Sequence, residues 1–146
     1  MSVLFPTSTI TIEGHAMKQL RDAVEAKDAD AIAALLDDDV LFNSPVAFTP
    51  YRGKKVAAPL LGAAITGVFE DFHYVRVIDD VGGRDHVLVF TARVGDIAVH
   101  GCDIVHVDDD GLIDDFTVMV RPLSAARAVA DRITTLTSGR PGTTSA

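Results

Sequence analysis

One cysteine, Cys102, is all the chain contains, so an intrachain disulfide is excluded and a reducing, cytoplasmic setting fits best. Basic residues are also scarce: 13 Lys and Arg stand against 21 Asp and Glu, a net charge of −8. Nucleic acid and anionic membrane are bound through a basic footprint, which this composition does not supply. No apolar run nears the length of a membrane span. No basic residue precedes Lys18, so the opening stretch MSVLFPTSTITIEG does not read as a secretory signal. There is no internal repeat and no interior linker, and none of the glycines makes a phosphate-binding loop. What the chain does have is apolar content, 48% of 146 residues, which suits one domain with a sizeable core.

The apolar pattern changes period midway. Over 14–27, Met17, Leu20, Ala23 and Val24 recur at helical spacing. A short second helix follows in DADAIAALL (28–36), capped by Asp28 or Asp30. A short strand, Val40 to Asn43, stops at Ser44-Pro45. A third helix is expected over 52–69, with Pro59 inside it predicting a late start or a kink. The second half alternates. Strands are expected over 72–80, 85–94, 97–107 and 112–121, and the short turns between them predict antiparallel pairing. Residues 122–136 close the chain as an amphipathic helix or a looser arm, opened by Pro122. Helices first and strands afterwards make an α+β layout, with helices on one face of a bent sheet. A single domain is expected over 14–136. An N-terminal arm, or short edge strand, is expected in 1–13, and a disordered tail in 137–146.

One charge is out of place. In IAVHGCDIVHV, alternation puts Val99, Gly101, Asp103, Val105 and Val107 on one face. Asp103 therefore stands among valines. A carboxylate there has its pKa raised by desolvation or is held by a partner. Gly101 removes a side chain beside it and is expected to leave space. The fourth strand contributes Phe116, Val118 and Val120, so a cavity lined by valines and a phenylalanine, with one acid, is inferred. A backbone amide or an arginine could instead hold Asp103 structurally.

The stretch AVEAKDADAIAALLDDDVLFNSPV, the helix opened by RGKKVAAPL, and the strands ending GCDIVHVDDDGLIDDFTVMV follow one another in an order that resembles the nuclear-transport-factor-2-like superfamily. Within it, the resemblance is to the SnoaL-like and ketosteroid-isomerase-like group, over about residues 14–121. The resemblance implies a cystatin-like cone, a curved antiparallel sheet wrapped around N-terminal helices, with a deep apolar pocket and commonly a dimer joined through the sheet. The pocket residues it implies are Leu20, Val24, Phe42, Ser44, Val105, Phe116 and Val118, with Asp103 as the acid. Ketosteroid isomerases place a general base just before a proline, and Ser44 stands there. A serine with no base beside it does not move a proton between carbons near neutral pH. Leu20 takes the place of their first-helix tyrosine. Asp103 matches the acid that such enzymes keep protonated in an apolar site. Steroid isomerisation by that mechanism is therefore not expected. Against the Asp–Arg–Asp arrangement of the group's epoxide hydrolases, Arg93 and Asp103 are available, but Val118 replaces an acid.

The other polar residues read more plainly. His100 and His106 lie about 20 Å apart along a strand, too far for one metal, and no metal or cofactor is expected. Cys102 lacks a histidine and acid at catalytic spacing. His86 is expected at the surface, and Asp114 and Asp115 in solvent. His100, Cys102, Thr117 and Met119 share the outer sheet face and suit a dimer contact. Phe48 and Tyr51, in SPVAFTPYRG, could gate a pocket mouth or pack on the third helix. The leading reading is a binding protein for a hydrophobic small molecule. The alternative is an isomerase, hydrolase or cyclase using Asp103 as acid or hydrogen-bond donor, and a third is an interaction module with a filled interior. A second titratable group within reach of Asp103, drawn from His73, Tyr74, Arg93 and Tyr51, discriminates the first two.

Overall fold

The computed structural model describes residues 15–138. The arm expected over 1–13 falls outside the described residues, as does the expected tail from 139 onward, while residues 137 and 138 of that tail close the last helix instead. Helix α1 (His15–Glu25) buries Met17, Leu20, Ala23 and Val24 on one face, as the spacing predicts. It ends where Lys27 turns left-handed (φ 57°) and returns its amide to the Val24 carbonyl. Asp28 caps α2 (Ala29–Ala34) by accepting from the Ala31 amide at 3.1 Å, the N-cap bond that orphan amides of a first turn require.

Strand β1 (Leu36–Asn43) starts earlier than expected. The run of three aspartates precedes the strand expected over Val40 to Asn43, yet Leu36 and Val40 on either side of it are buried and draw it into the sheet. A register shift between Leu36 and Leu41 accommodates it. A two-residue strand, β2 (Tyr51–Arg52), pairs with β1. Helix α3 (Lys54–Ala63) starts only after Gly53 (φ 95°), and Pro59 lies inside it. The expected helical stretch then widens into a π-helical turn over Ala64–Val68, closed by the Phe69 amide on the Ala64 carbonyl.

Strands β3 (Glu70–Asp79), β4 (Asp85–Val94), β5 (Ile97–Val107) and β6 (Ile113–Arg121) pair successively antiparallel. Helix α4 (Leu123–Ser138) follows and packs on β4, β5, β6 and the π-turn. The sheet order is β2-β1-β6-β5-β4-β3. It is mixed rather than wholly antiparallel, because β1 lies parallel to β6. Short turns fix the direction of consecutive strands only. They carry no information on how a strand from the helical half docks beside β6. The result is an α+β cone, with the curved sheet wrapped over the helices and the core between them.

Candidate functional site: an acid–phenol pair in an apolar hollow

Lateral register brings the site together. Leu88, Asp103 and Val118 stand side by side across β4, β5 and β6, all on the core face. Asp103 is 4% exposed. It faces a hollow of about 410 Å³ between sheet, α3, the π-turn and α4. That volume lies within the range of small-molecule sites. Besides Asp103, the polar side chains on its wall are the hydroxyls of Ser44, Tyr51, Thr66 and Tyr74. Thr66 gives its hydroxyl to the Gly62 carbonyl, and Ser44 Oγ accepts from the Val46 amide.

Tyr74, from β3, donates its hydroxyl to Asp103 Oδ2 at 2.6 Å. No other hydrogen bond reaches that carboxyl among the described residues, so Oδ1 is left to the hollow. Burial pushes Asp103 up to about 7, against a Tyr74 bond that lowers it. Tyr74 is itself pushed up, first by burial and then by the Asp103 charge. The phenol therefore stays protonated as a donor while the carboxyl sits near its midpoint at neutral pH. Such an acid both takes and returns a proton at pH 7.

The phenol is held by aromatic packing that begins at Gly101. A Cβ there would lie 2.6 Å from Phe90 Cζ and would also strike the Met119 carbonyl. Gly101 thus does not leave empty space beside Asp103, as the sequence suggests; the Phe90 ring occupies it. Phe90 stacks on Phe72 (centroids 4.5 Å), and Tyr74 meets both edge-on, at 5.0 Å from Phe72 and 6.4 Å from Phe90. Such contacts each add to burial and fix ring orientation.

Of the expected wall residues, Val24, Phe42, Ser44, Phe116 and Val118 line the hollow with Asp103. Leu20 and Val105 do not. Both are fully buried and packed into the hydrophobic core, where neighbouring side chains leave them no open face. Arg93 lies on the opposite face, bonded to Asp71 at 2.6 Å and to Glu70, and cannot reach Asp103. His73 is exposed. Tyr51 lines the wall and stacks on Phe42, whereas Phe48 is fully exposed and takes no part in it. The segment Pro59–Phe69 and the α4 residues Val129, Ile133 and Leu136 supply much of the wall. Their apolar stripes are legible, but nothing local in them tells cavity from core.

His86 corrects a further expectation. It is buried, with Nδ1 2.6 Å from Asp79 and Nε2 3.1 Å from the Gly83 carbonyl. It shares the inward face with Leu88 and Phe90, so strand alternation outweighs its place at a strand start. Asp114 and Asp115 are half-buried rather than free in solvent, and Asp114 contacts His106 at 2.6 Å. Among the described residues, no group of three His, Cys, Asp or Glu side chains is arranged to hold a metal, and no helix is long and apolar enough to cross a membrane.

A family model described as a SnoaL-like domain matches residues 17–116. A crystal structure of a steroid delta-isomerase from Pseudomonas aeruginosa is similar over 94% of this chain and 97% of its own, at 34% identity and a TM-score of 0.81. An uncharacterised protein with a cystatin-like fold from Silicibacter pomeroyi is similar at 30% identity and 0.80, covering 85% and 86%. An LEH-like epoxide hydrolase from M. tuberculosis shares the fold at 22% identity and 0.60, covering 89% and 98%. No curated protein matches. With the matched residues covering more than half of the chain and including Asp103, the chain belongs to the SnoaL-like family, on the cystatin-like, nuclear-transport-factor-2-like fold.

Proposed function

We propose that the chain binds a neutral, largely apolar small molecule in the hollow and takes one oxygen of that molecule at Asp103. The observation that carries this reading is the Tyr74–Asp103 bond in a largely apolar wall. With Oδ2 occupied by Tyr74, a protonated Asp103 carries its proton on Oδ1. It then donates to a carbonyl, ether or epoxide oxygen. An anionic ligand group is disfavoured beside the wall's one acid.

The pair also favours a second, enzymatic reading. A carboxyl near pKa 7 with a phenol bonded to it is suited to proton transfer next to a carbonyl, and similarity to a protein named as a steroid delta-isomerase points the same way. Ser44 and Leu20 still stand where that chemistry would place a base and a tyrosine. Any such reaction would therefore run through Asp103 alone, with Tyr74 entering from β3 instead of the first helix. Deuterium incorporation beside the carbonyl of a bound ketone in D₂O, followed by NMR, reads this. No incorporation above the protein-free rate would leave binding as the function.

Binding is tested with 2-acetylnaphthalene against naphthalene by fluorescence. A hydrogen bond donated by the protonated Asp103 carboxyl should favour the ketone by about tenfold, and Asp103→Val should abolish that preference. Equal binding of ketone and hydrocarbon by the native chain would sink the proposal. The outer sheet face, with Met119 exposed beside half-buried Cys102 and Ile78 exposed toward the β3 edge, supports a second copy docking there. Sedimentation reading a monomer at high micromolar concentration would remove that part.

A further inference from the structure

Tyr74 occupies an unusual position for a residue that must hold a fixed geometry. It lies on β3, an edge strand. The β3–β4 register slips on both sides of it, between Glu70 and His73 and again between Tyr74 and Arg76. Only His73 and Tyr74 pair in step between the two slips. The second slip opposes an extra residue to β4. Tyr74 lies inward opposite Phe90, whereas beyond the slip Val77 and Asp79 take over the inward face opposite Leu88 and His86. Bulges of this kind re-aim side chains and weaken the local ladder. Sheet pairing alone therefore gives Tyr74 little support.

The missing support comes from a helix. Glu25, the last residue of α1, accepts the Tyr74 backbone amide on Oε2 at 3.0 Å. An edge strand leaves such amides without a strand partner, and a carboxylate acceptor makes one of the stronger bonds available to them. The left-handed turn at Lys27 ends the helix just beyond Glu25. We infer that Glu25 is a positioning residue for the site: by holding the Tyr74 peptide between the two slips, it sets the phenol against Asp103. This rests on the reading of Asp103 and Tyr74 as the ligand anchor, and it extends that site to a residue that touches neither the hollow nor Asp103.

The sign of one shift separates this role from simple electrostatics. Tyr74's bond lowers the Asp103 midpoint, so Tyr74→Phe should raise it by about one pH unit. Removing the Glu25 charge, taken alone, would lower the midpoint or leave it in place, because a nearby negative charge favours the protonated acid; Arg21, the cation acting on Tyr74, is kept in every variant. Removing the grip of Glu25 on Tyr74 would raise the midpoint. The Asp103 carboxyl is followed by ¹³C NMR in the full chain, native, Tyr74→Phe, Glu25→Ala and Glu25→Gln. Glu25→Ala should move the midpoint upward, in the direction of Tyr74→Phe. Glu25→Gln keeps an acceptor without the charge and should not move it upward. An unchanged or lowered midpoint in Glu25→Ala, an upward move in Glu25→Gln as large as in Glu25→Ala, or no rise in Tyr74→Phe would overturn the inference. Failure of the ligand reading shows separately, as loss of the ketone preference in the native chain.

Discussion

Replacing Asp103 by Asn should make the protein more stable at neutral pH, and by an amount that grows with pH. In the folded chain burial pushes this carboxyl from 3.8 to about 7; in the unfolded chain it titrates near its ordinary value. Below 3.8 both states hold the proton and nothing is lost. Between 3.8 and about 7 the folded state keeps a proton that the unfolded state releases, so stability falls as pH rises; above about 7 the loss is constant. At about 1.36 kcal/mol per pH unit, that interval amounts to about 4 kcal/mol. Asn has nearly the same shape and no proton to hold, and its Oδ1 still accepts from Tyr74. The stability difference between Asp103→Asn and the native chain should therefore change by about 4 kcal/mol between pH 4 and pH 8, in favour of the variant. That corresponds to about 10 °C in Tm for a chain of this size. Urea unfolding of both proteins at pH 4, 6 and 8 measures it. A difference that stays flat across this range, or that turns against the variant as pH rises, would refute the reasoning. The sign bears on function, because an acid that weakens the fold at neutral pH has no structural reason to be there.

Two further outcomes follow from the packing. Gly101→Ala should cost about 3 kcal/mol in urea unfolding, because its methyl group meets the Phe90 ring and the Met119 carbonyl; an unchanged midpoint would show that Phe90 and Tyr74 do not depend on that glycine. His86→Ala should cost about 3 kcal/mol, since it leaves the Asp79 carboxylate buried beside an empty place; a loss well under 1 kcal/mol would mean that water reaches Asp79 freely.

Much of this arrangement is legible in the sequence. The four antiparallel strands fall within two residues of their expected bounds, because alternating apolar residues and short turns are both local signals. The same alternation puts Asp103 inward. It would have put His86 inward too, since His86 precedes Leu88 and Phe90 by even steps; its place at the start of a strand misleads. Gly101 is harder to read. A glycine in a strand indicates space or a close approach, and only the cross-strand register shows that Phe90 fills the gap. Tyr74 stands among the possible partners of Asp103, but selecting it needs the bulge, which no local pattern announces. The parallel docking of β1 and the wall contributed by α4 depend on contacts far apart in sequence, where local signals are silent.

The proton on Asp103 is the point on which the binding reading, the stability change and the role of Glu25 all turn. A ¹³C NMR titration of that one carboxyl in the native chain measures it directly. A midpoint near 7 is the expected result; a midpoint near the ordinary aspartate value of 3.8 would mean that water reaches the group and that the hollow holds no protonated acid at neutral pH.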